Sequence, residues 1–195
     1  MGSAPEESGA DLVERVVDSR VLHRGGYLTF RIDTIERPDG SRATRDVAEH
    51  PGAVAVVAVD ADDQVVLVRQ YRSPAERVML EIPAGTLDRH EDGSVEDPEL
   101  ASRRELEEET GYRAASWRLL GRFWTAPGFA TEVMHLYLAT ELTAAGEDRL
   151  VPEADERLHL VRLPWREAVA AAERGEIADA KSIVGLFWLA RIRGA

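Results

Sequence analysis

The sequence predicts a mixed α/β fold with α+β layering, and three observations carry that expectation. Strand-like and helix-like stretches follow one another in irregular order, two apolar runs flank an acidic turn at residues 60–63, and helices open and close at identifiable caps. A doubly wound sheet would need a regular alternation that this chain lacks. Its 195 residues suit one domain with at most a small N-terminal appendage, long enough to bury a proper core.

In chain order, residues 1–11 are small, polar and acidic and lack the basic start and apolar stretch of a secretory signal, so 1–17 is expected to be a frayed, disordered tail. Over 18–46, apolar Val21, Leu22, Tyr27, Leu28, Phe30, Ile32 and Ile35 are broken by Gly25-Gly26 and by the turn signal Pro38-Asp39-Gly40. This predicts a small antiparallel β subdomain over 18–48, with the main domain over 49–195. The runs 52–59 and 64–69 read as a β-hairpin of buried strands. Asp97 then caps a helix that Pro98 starts without losing a hydrogen bond and Gly111 stops. Further strands are expected over 117–123, 133–140 and 158–163. A helix over 164–174 ends at Gly175, and another over 180–193 carries apolar Ile183, Val184, Leu186, Phe187 and Leu189.

Composition narrows the function. A formal net charge of −12 argues against DNA or RNA as partners, because nucleic-acid affinity rests on cations that neutralise phosphates. An anionic substrate would therefore need divalent cations or well-placed arginines to meet it. No apolar run approaches the ~20 residues that cross a bilayer, so no membrane partner is expected. The absence of cysteine excludes disulfides and thiolate chemistry and suits the cytoplasm. Lys181 is the single lysine; biased codon usage accounts for it, although arginine does fork better onto phosphate. The histidines His23, His50, His90, His135 and His159 are scattered, and none is assigned to catalysis.

The helix from Pro98 carries the chemistry. At 100° per residue Glu105, Glu108 and Glu109 share one face while Glu107 points away. Two unit charges ~4 Å apart repel by roughly 4 kcal/mol at an effective dielectric near 20, so such a face calls for a countercharge. Mg²⁺ favours hard carboxylate oxygens and keeps waters that a phosphate displaces, which points to phosphoryl or pyrophosphoryl chemistry. For an isolated acidic helix, a solvated face paired to Arg103 and Arg104 would suffice.

The segment Arg104-Glu105-Leu106-Glu107-Glu108-Glu109-Thr110-Gly111-Tyr112 resembles the second half of the Nudix box, REUxEExGU with U apolar. Seven residues separate Glu96 from Arg104, as the box requires, and Glu81-Ile82-Pro83-Ala84-Gly85 is similar to the stretch that carries its first glycine. One departure is visible: Gly85 and Glu96 enclose ten residues where the box has five. The extra polar region reads as an insertion that leaves the helix in register, with Glu96 favoured over Glu91 as the loop glutamate. Beyond the box, His50-Pro51-Gly52-Ala53-Val54, Val68-Arg69-Gln70-Tyr71-Arg72 and Thr125-Ala126-Pro127-Gly128-Phe129 with Glu132 resemble the ADP-ribose pyrophosphatase branch of that family.

The resemblance implies a Nudix-type α/β/α sandwich with a mixed central sheet, plus the small N-terminal antiparallel sheet. It implies hydrolysis of ADP-ribose to AMP and ribose 5-phosphate with Mg²⁺, or Mn²⁺ in its place. Glu105, Glu108, Glu109 and the Ala84 carbonyl would hold metal. Arg104 would orient the glutamates by a bidentate salt bridge, and Gly85 would let the backbone approach closely. Arg45, Arg72, Glu81 and Glu132 would bind substrate, with Tyr27, or Phe30 in its stead, stacking on the adenine. A plainer role exists for some of these: strand packing for Tyr27, a surface ion pair for Arg72. A carboxylate before the last strand, Glu153 or Glu156, would act as base or as an added metal-site group, beside Glu108 and Arg104. The branch also implies a homodimer that shares its sites through the N-terminal strands. The rival readings are hydrolysis of a nucleotide sugar or dinucleotide, and a non-catalytic ADP-ribose sensor.

Overall fold

The computed structural model describes residues 9–90, 92–151 and 157–194, and these fall into two units, each built on its own sheet.

The N-terminal unit comprises the described residues up to His50 together with Ala126–Thr131. Strands β1 (Arg15–Arg24), β2 (Thr29–Glu36) and β3 (Arg42–Glu49) pair antiparallel in that order. The expected turn is present: Gly40 takes φ +80°, and the Ser41 amide donates to Asp39 Oδ1 at 2.9 Å. β1 starts at Arg15, inside the segment expected to be frayed tail, because its pairing with Glu36 extends the ladder. Ile35 and Asp33 are the buried residues of β2. Asp33 accepts from Arg31 Nε at 3.0 Å and Ser19 Oγ at 2.6 Å. The Arg31 bond foremost, against the opposing effect of burial, holds its carboxyl below its ordinary 3.8. Residues 126–131, far away in sequence, belong here through tertiary hydrogen bonds: the Ala48 amide donates to the Phe129 carbonyl at 2.7 Å and the Thr131 amide to the Ala48 carbonyl at 3.0 Å.

The second unit spans Pro51–Thr125 and Glu132–Ala195, described as far as residue 194. Its strands are β4 (Ala53–Val59), β5 (Gln64–Arg72), β6 (Arg77–Glu81), β7 (Ala84–Thr86), β8 (Tyr112–Trp124), β9 (Val133–Ala144) and β10 (His159–Pro164), with helices α1 (Pro98–Thr110), α2 (Trp165–Glu173) and α3 (Ala180–Ile192). The sheet runs β10-β5-β4-β9-β8, with β6 on β5 and β7 on β4. It is mixed, since β4 and β9 are parallel while the other pairs are antiparallel. Every residue of β4 is buried, and the period-2 alternation divides them. Ala55 and Val57 pack toward Trp165, Ala168, Leu186 and Leu189 of α2 and α3. Val56 and Ala58 face Leu106 of α1, and Val54 lies in a cluster with Ala101 of the same helix. The result is an α/β/α sandwich with the sheet in the middle.

α1 ends where its sequence says it should. The Asp97 side chain accepts from the amides of Glu99 at 2.9 Å and Leu100 at 3.1 Å, and Gly111 closes the helix at φ +69°. β8 starts at Tyr112, five residues before the expected Trp117, because it pairs along its length with β9 from Ala144 back to Val133. None of the described helices is long and apolar enough to cross a membrane.

Candidate active site

α1 presents Glu105 and Glu109 to β7, and one guanidinium joins Glu105 to Glu108. Arg104 forks onto Glu96, with Nε donating to Oε1 at 3.2 Å and Nη2 to Oε2 at 2.9 Å. Its Nη1 donates to Glu105 Oε1 at 2.7 Å and to Glu108 Oε2 at 3.0 Å. Arginine can do this because its planar head offers donors in several fixed directions; a lysine would hold one or two of these partners. The Glu96 bonds chiefly raise the Arg104 pKa. Burial alone would push the Glu96 carboxyl up, but Arg104 and the Asp88 amide outweigh it and hold it below 4.5.

The ten-residue stretch between Gly85 and Glu96, with its insertion, closes as a short hairpin. The His90 amide donates to the Ser94 carbonyl and the Glu96 amide to the Asp88 carbonyl, each at 2.9 Å, with a bridge between Arg89 and Val95. Its base delivers Glu96 to Arg104; Glu91 lies outside the described residues.

Gly85 is required by space. A Cβ there would lie 1.9 Å from Glu105 Oε1 and 2.0 Å from its Cδ, so the carboxylate occupies the position a side chain would take. Next to it, the Ala84 amide donates to Glu109 Oε2 at 3.0 Å. Glu105 and Glu109 are both buried. Thus Gly85 lies against Glu105, Ala84 against Glu109, and Arg104 joins Glu105 to Glu108. Glu107 points away, but it is buried instead of solvated. It accepts from Arg113 Nε at 2.8 Å and Nη2 at 2.7 Å and from the Leu150 amide at 3.0 Å. The Arg113 bonds foremost hold its carboxyl below 4.5.

A second ionic group lies on β5, β6 and α3. Arg72 donates from Nε to Glu81 Oε1 at 2.9 Å and from Nη2 to Oε2 at 2.8 Å. Lys181 Nζ donates to the same Oε2 and, at 2.9 Å, to Asp179 Oδ1. Burial would raise the Glu81 pKa; the Arg72 bonds and the Lys181 charge outweigh it and leave it below 4.5. Sequence reasoning missed Lys181 and Asp179. The available signal was a lone lysine in the first turn of a helix, where the macrodipole disfavours a cation unless anions meet it.

The remaining expected residues are placed as follows. Glu132 accepts from Thr125 Oγ1. In the N-terminal unit, Tyr27 is exposed and meets His50 edge-on at 5.4 Å, and Phe30 lies 6.4 Å from His23. Arg45 donates from Nε to Glu14 Oε2 at 3.0 Å. Glu153 and Glu156 lie outside the described residues.

Do these groups fit a divalent cation? Around Arg104, three carboxylates (Glu96, Glu105 and Glu108) face one guanidinium, so the cluster carries excess negative charge presented by hard oxygens. Among the described residues no three such side chains converge into a ready-made cage, and Arg104 Nη1 bonds both Glu105 and Glu108. The donor set fits; Glu105, Glu108, Glu109 and the Ala84 carbonyl are the groups that would hold the ion.

Known proteins agree with this architecture. The family model described as NUDIX domain matches residues 49–186. The chain is 36% identical over 178 residues to the ADP-ribose pyrophosphatase of Bacillus subtilis, covering 91% of this chain and 93% of the relative. It is 39% identical over 173 residues to the ADP-ribose pyrophosphatase of Mycobacterium tuberculosis, covering 87% and 80%. It is 31% identical over 189 residues to the GDP-mannose pyrophosphatase of Cronobacter sakazakii, covering 92% and 95%. A crystal structure of an ADP compounds hydrolase superposes with a TM-score of 0.78 at 24% identity, covering 93% of this chain and 95% of that one, which speaks for the fold. Enzymes of this kind generally use divalent metal ions. With the glutamate face gathered on Arg104, the glycine that makes room for Glu105, and a family match across most of its length, the chain belongs to the NUDIX family and is a hydrolase.

Proposed function

We propose that this hydrolase cleaves the diphosphate bond of ADP-ribose to AMP and ribose 5-phosphate, with Mg²⁺ as its ion and Mn²⁺ as a working substitute. The observation that carries the reading is the Arg104-centred cluster, in which the ligands Glu105 and Glu108 are oriented by one guanidinium. The names of the two ADP-ribose pyrophosphatases support the substrate.

A divalent cation held by Glu105, Glu108, Glu109 and the Ala84 carbonyl supplies Lewis-acid neutralisation of the diphosphate charge. The protein's part is positioning. Arg104 keeps Glu105 and Glu108 from repelling one another. Gly85 keeps the Glu105 carboxylate close to the backbone, and the Ala84 amide fixes Glu109. Arg72, aimed by Glu81, binds an anionic part of the substrate, with Glu132, Arg45 and the adenine-stacking Tyr27 as further contacts. Glu153 or Glu156 accepts the proton of the attacking water, assisted by Glu108. The working form is a homodimer that shares its sites through the N-terminal strands, in the cytoplasm.

The test is AMP release from ADP-ribose at millimolar Mg²⁺, beside a panel of nucleotide sugars and dinucleotides and an EDTA control. Fast, EDTA-sensitive cleavage of ADP-ribose alone supports the reading. The relationship to a GDP-mannose pyrophosphatase favours a nucleotide sugar as second reading, and preference for that member would move the substrate while keeping the mechanism. Tight ADP-ribose binding without cleavage would mark a sensor instead.

A further inference from the structure

We propose that Lys181 is a positioning residue for substrate binding: it offsets the buried Glu81 so that Arg72 keeps attraction for an anionic substrate group. This deepens the functional reading above and rests on it.

Glu81 is 1% exposed, and both its oxygens are occupied by Arg72. A carboxylate paired so closely would cancel the Arg72 charge and leave little to attract a phosphate. Lys181 changes the balance. Its ammonium bonds Glu81 from the side of α3, with Asp179 as its second partner. Arg72, Lys181, Glu81 and Asp179 then sum to zero, whereas without Lys181 the group carries one net negative charge. In a chain of net charge −12, that difference falls where the substrate is to be met. Arg72 is the outward member of the group: its side chain is 40% exposed, against 2% for Glu81 and 11% for Lys181. Its pair with Glu81 uses Nε and Nη2, which leaves Nη1 outside that pair.

Helix stability does not explain the lysine. It sits in the first turn of α3, where the macrodipole opposes a cation, and Asp179 caps the helix with its other oxygen, accepting from the Ser182 amide at 3.0 Å. Every other fixed cation of the side chains is arginine. Here a compact ammonium fits between two carboxylates, one of them also held by Arg72.

The experiment measures kcat and KM of Lys181→Met and Lys181→Arg with whichever panel diphosphate the parent chain cleaves fastest, beside a thermal melt. Lys181→Met is expected to raise KM about tenfold and leave kcat within about twofold, and Lys181→Arg to restore part of the loss. An unchanged KM in Lys181→Met overturns the proposal, as does an equal fall of kcat in both variants alongside a lowered melting temperature. If Lys181→Met does not fold, Lys181→Gln, which removes the charge and keeps hydrogen-bonding capacity, takes its place with the same two outcomes. A parent that cleaves no panel member fails the functional reading; a parent that cleaves one while Lys181→Met keeps its KM fails this inference alone.

Discussion

Gly85→Ala is the sharpest perturbation of the site, because it adds one methyl group where Glu105 already is. The new Cβ would meet Oε1 at 1.9 Å and Oε2 at 2.4 Å, and contacts below 3.0 Å are essentially never made. The carboxylate must therefore retreat by about an ångström. It has little freedom to do so, being buried and held by Arg104 Nη1 at 2.7 Å. Retreat stretches that bond toward the limit of hydrogen bonding, where a charged pair loses ~1.5–3 kcal/mol. Overpacking of this kind costs about 1–3 kcal/mol of stability, a drop in melting temperature of roughly 2–4 °C per kcal/mol for a chain of this size. Displacing a site group by ~1 Å can cost on the order of 10²-fold in rate, so kcat should fall by about that factor. The assay is product release at saturating Mg²⁺ together with a thermal melt. Full activity in a folded Gly85→Ala variant would refute the placement of Glu105 as a metal-holding group against the loop.

Arg104→Lys keeps the charge but not the fork, so Glu96 and one helix glutamate lose their partner; kcat should fall about 10²-fold, and steady-state kinetics that matched the parent would contradict Arg104 as organiser. Glu108→Gln should abolish turnover in a folded protein. Glu107→Gln should keep turnover but lower the melting temperature, since it weakens the bidentate pair with Arg113; equal loss of turnover in both variants would sink the helix-face argument. Acid should destabilise the fold through Glu81 and Glu96, whose carboxyls are held below 4.5 by their cations. Groups with a depressed folded pKa contribute stability above the unfolded value and lose it as pH falls through the folded one. These two pairs should thus add no slope from about pH 7 to 5 and should lower the melting temperature below about pH 4.5, and a melt that stayed level from there to about pH 3 would show that they add nothing. Gel filtration with light scattering should give a dimer, and a monomer at working concentration would remove the shared-site reading.

The legible parts of this protein are the locally determined ones. α1 could be placed to the residue because Asp97, Pro98 and Gly111 act on backbone groups within a few positions of themselves. The shared face of Glu105, Glu108 and Glu109 follows from helical pitch alone. The spacing from Glu96 to Arg104 likewise survived an insertion, since the added residues close on themselves as a hairpin. What only the tertiary structure decided lies at long sequence separation. Parallel pairing of β4 with β9, the union of 126–131 with β3, the burial of Glu107 against Arg113, and the meeting of Lys181 with Glu81 a hundred residues away leave no periodicity in the chain. Sequence reading noted Lys181 but gave it to codon usage, because a single cation does not name its partners. It acquires meaning once packing removes water from around Glu81 and makes an uncompensated charge expensive. Local hydrogen bonding is written in neighbouring residues, whereas charge balance in a desolvated interior depends on which distant segments the core brings together.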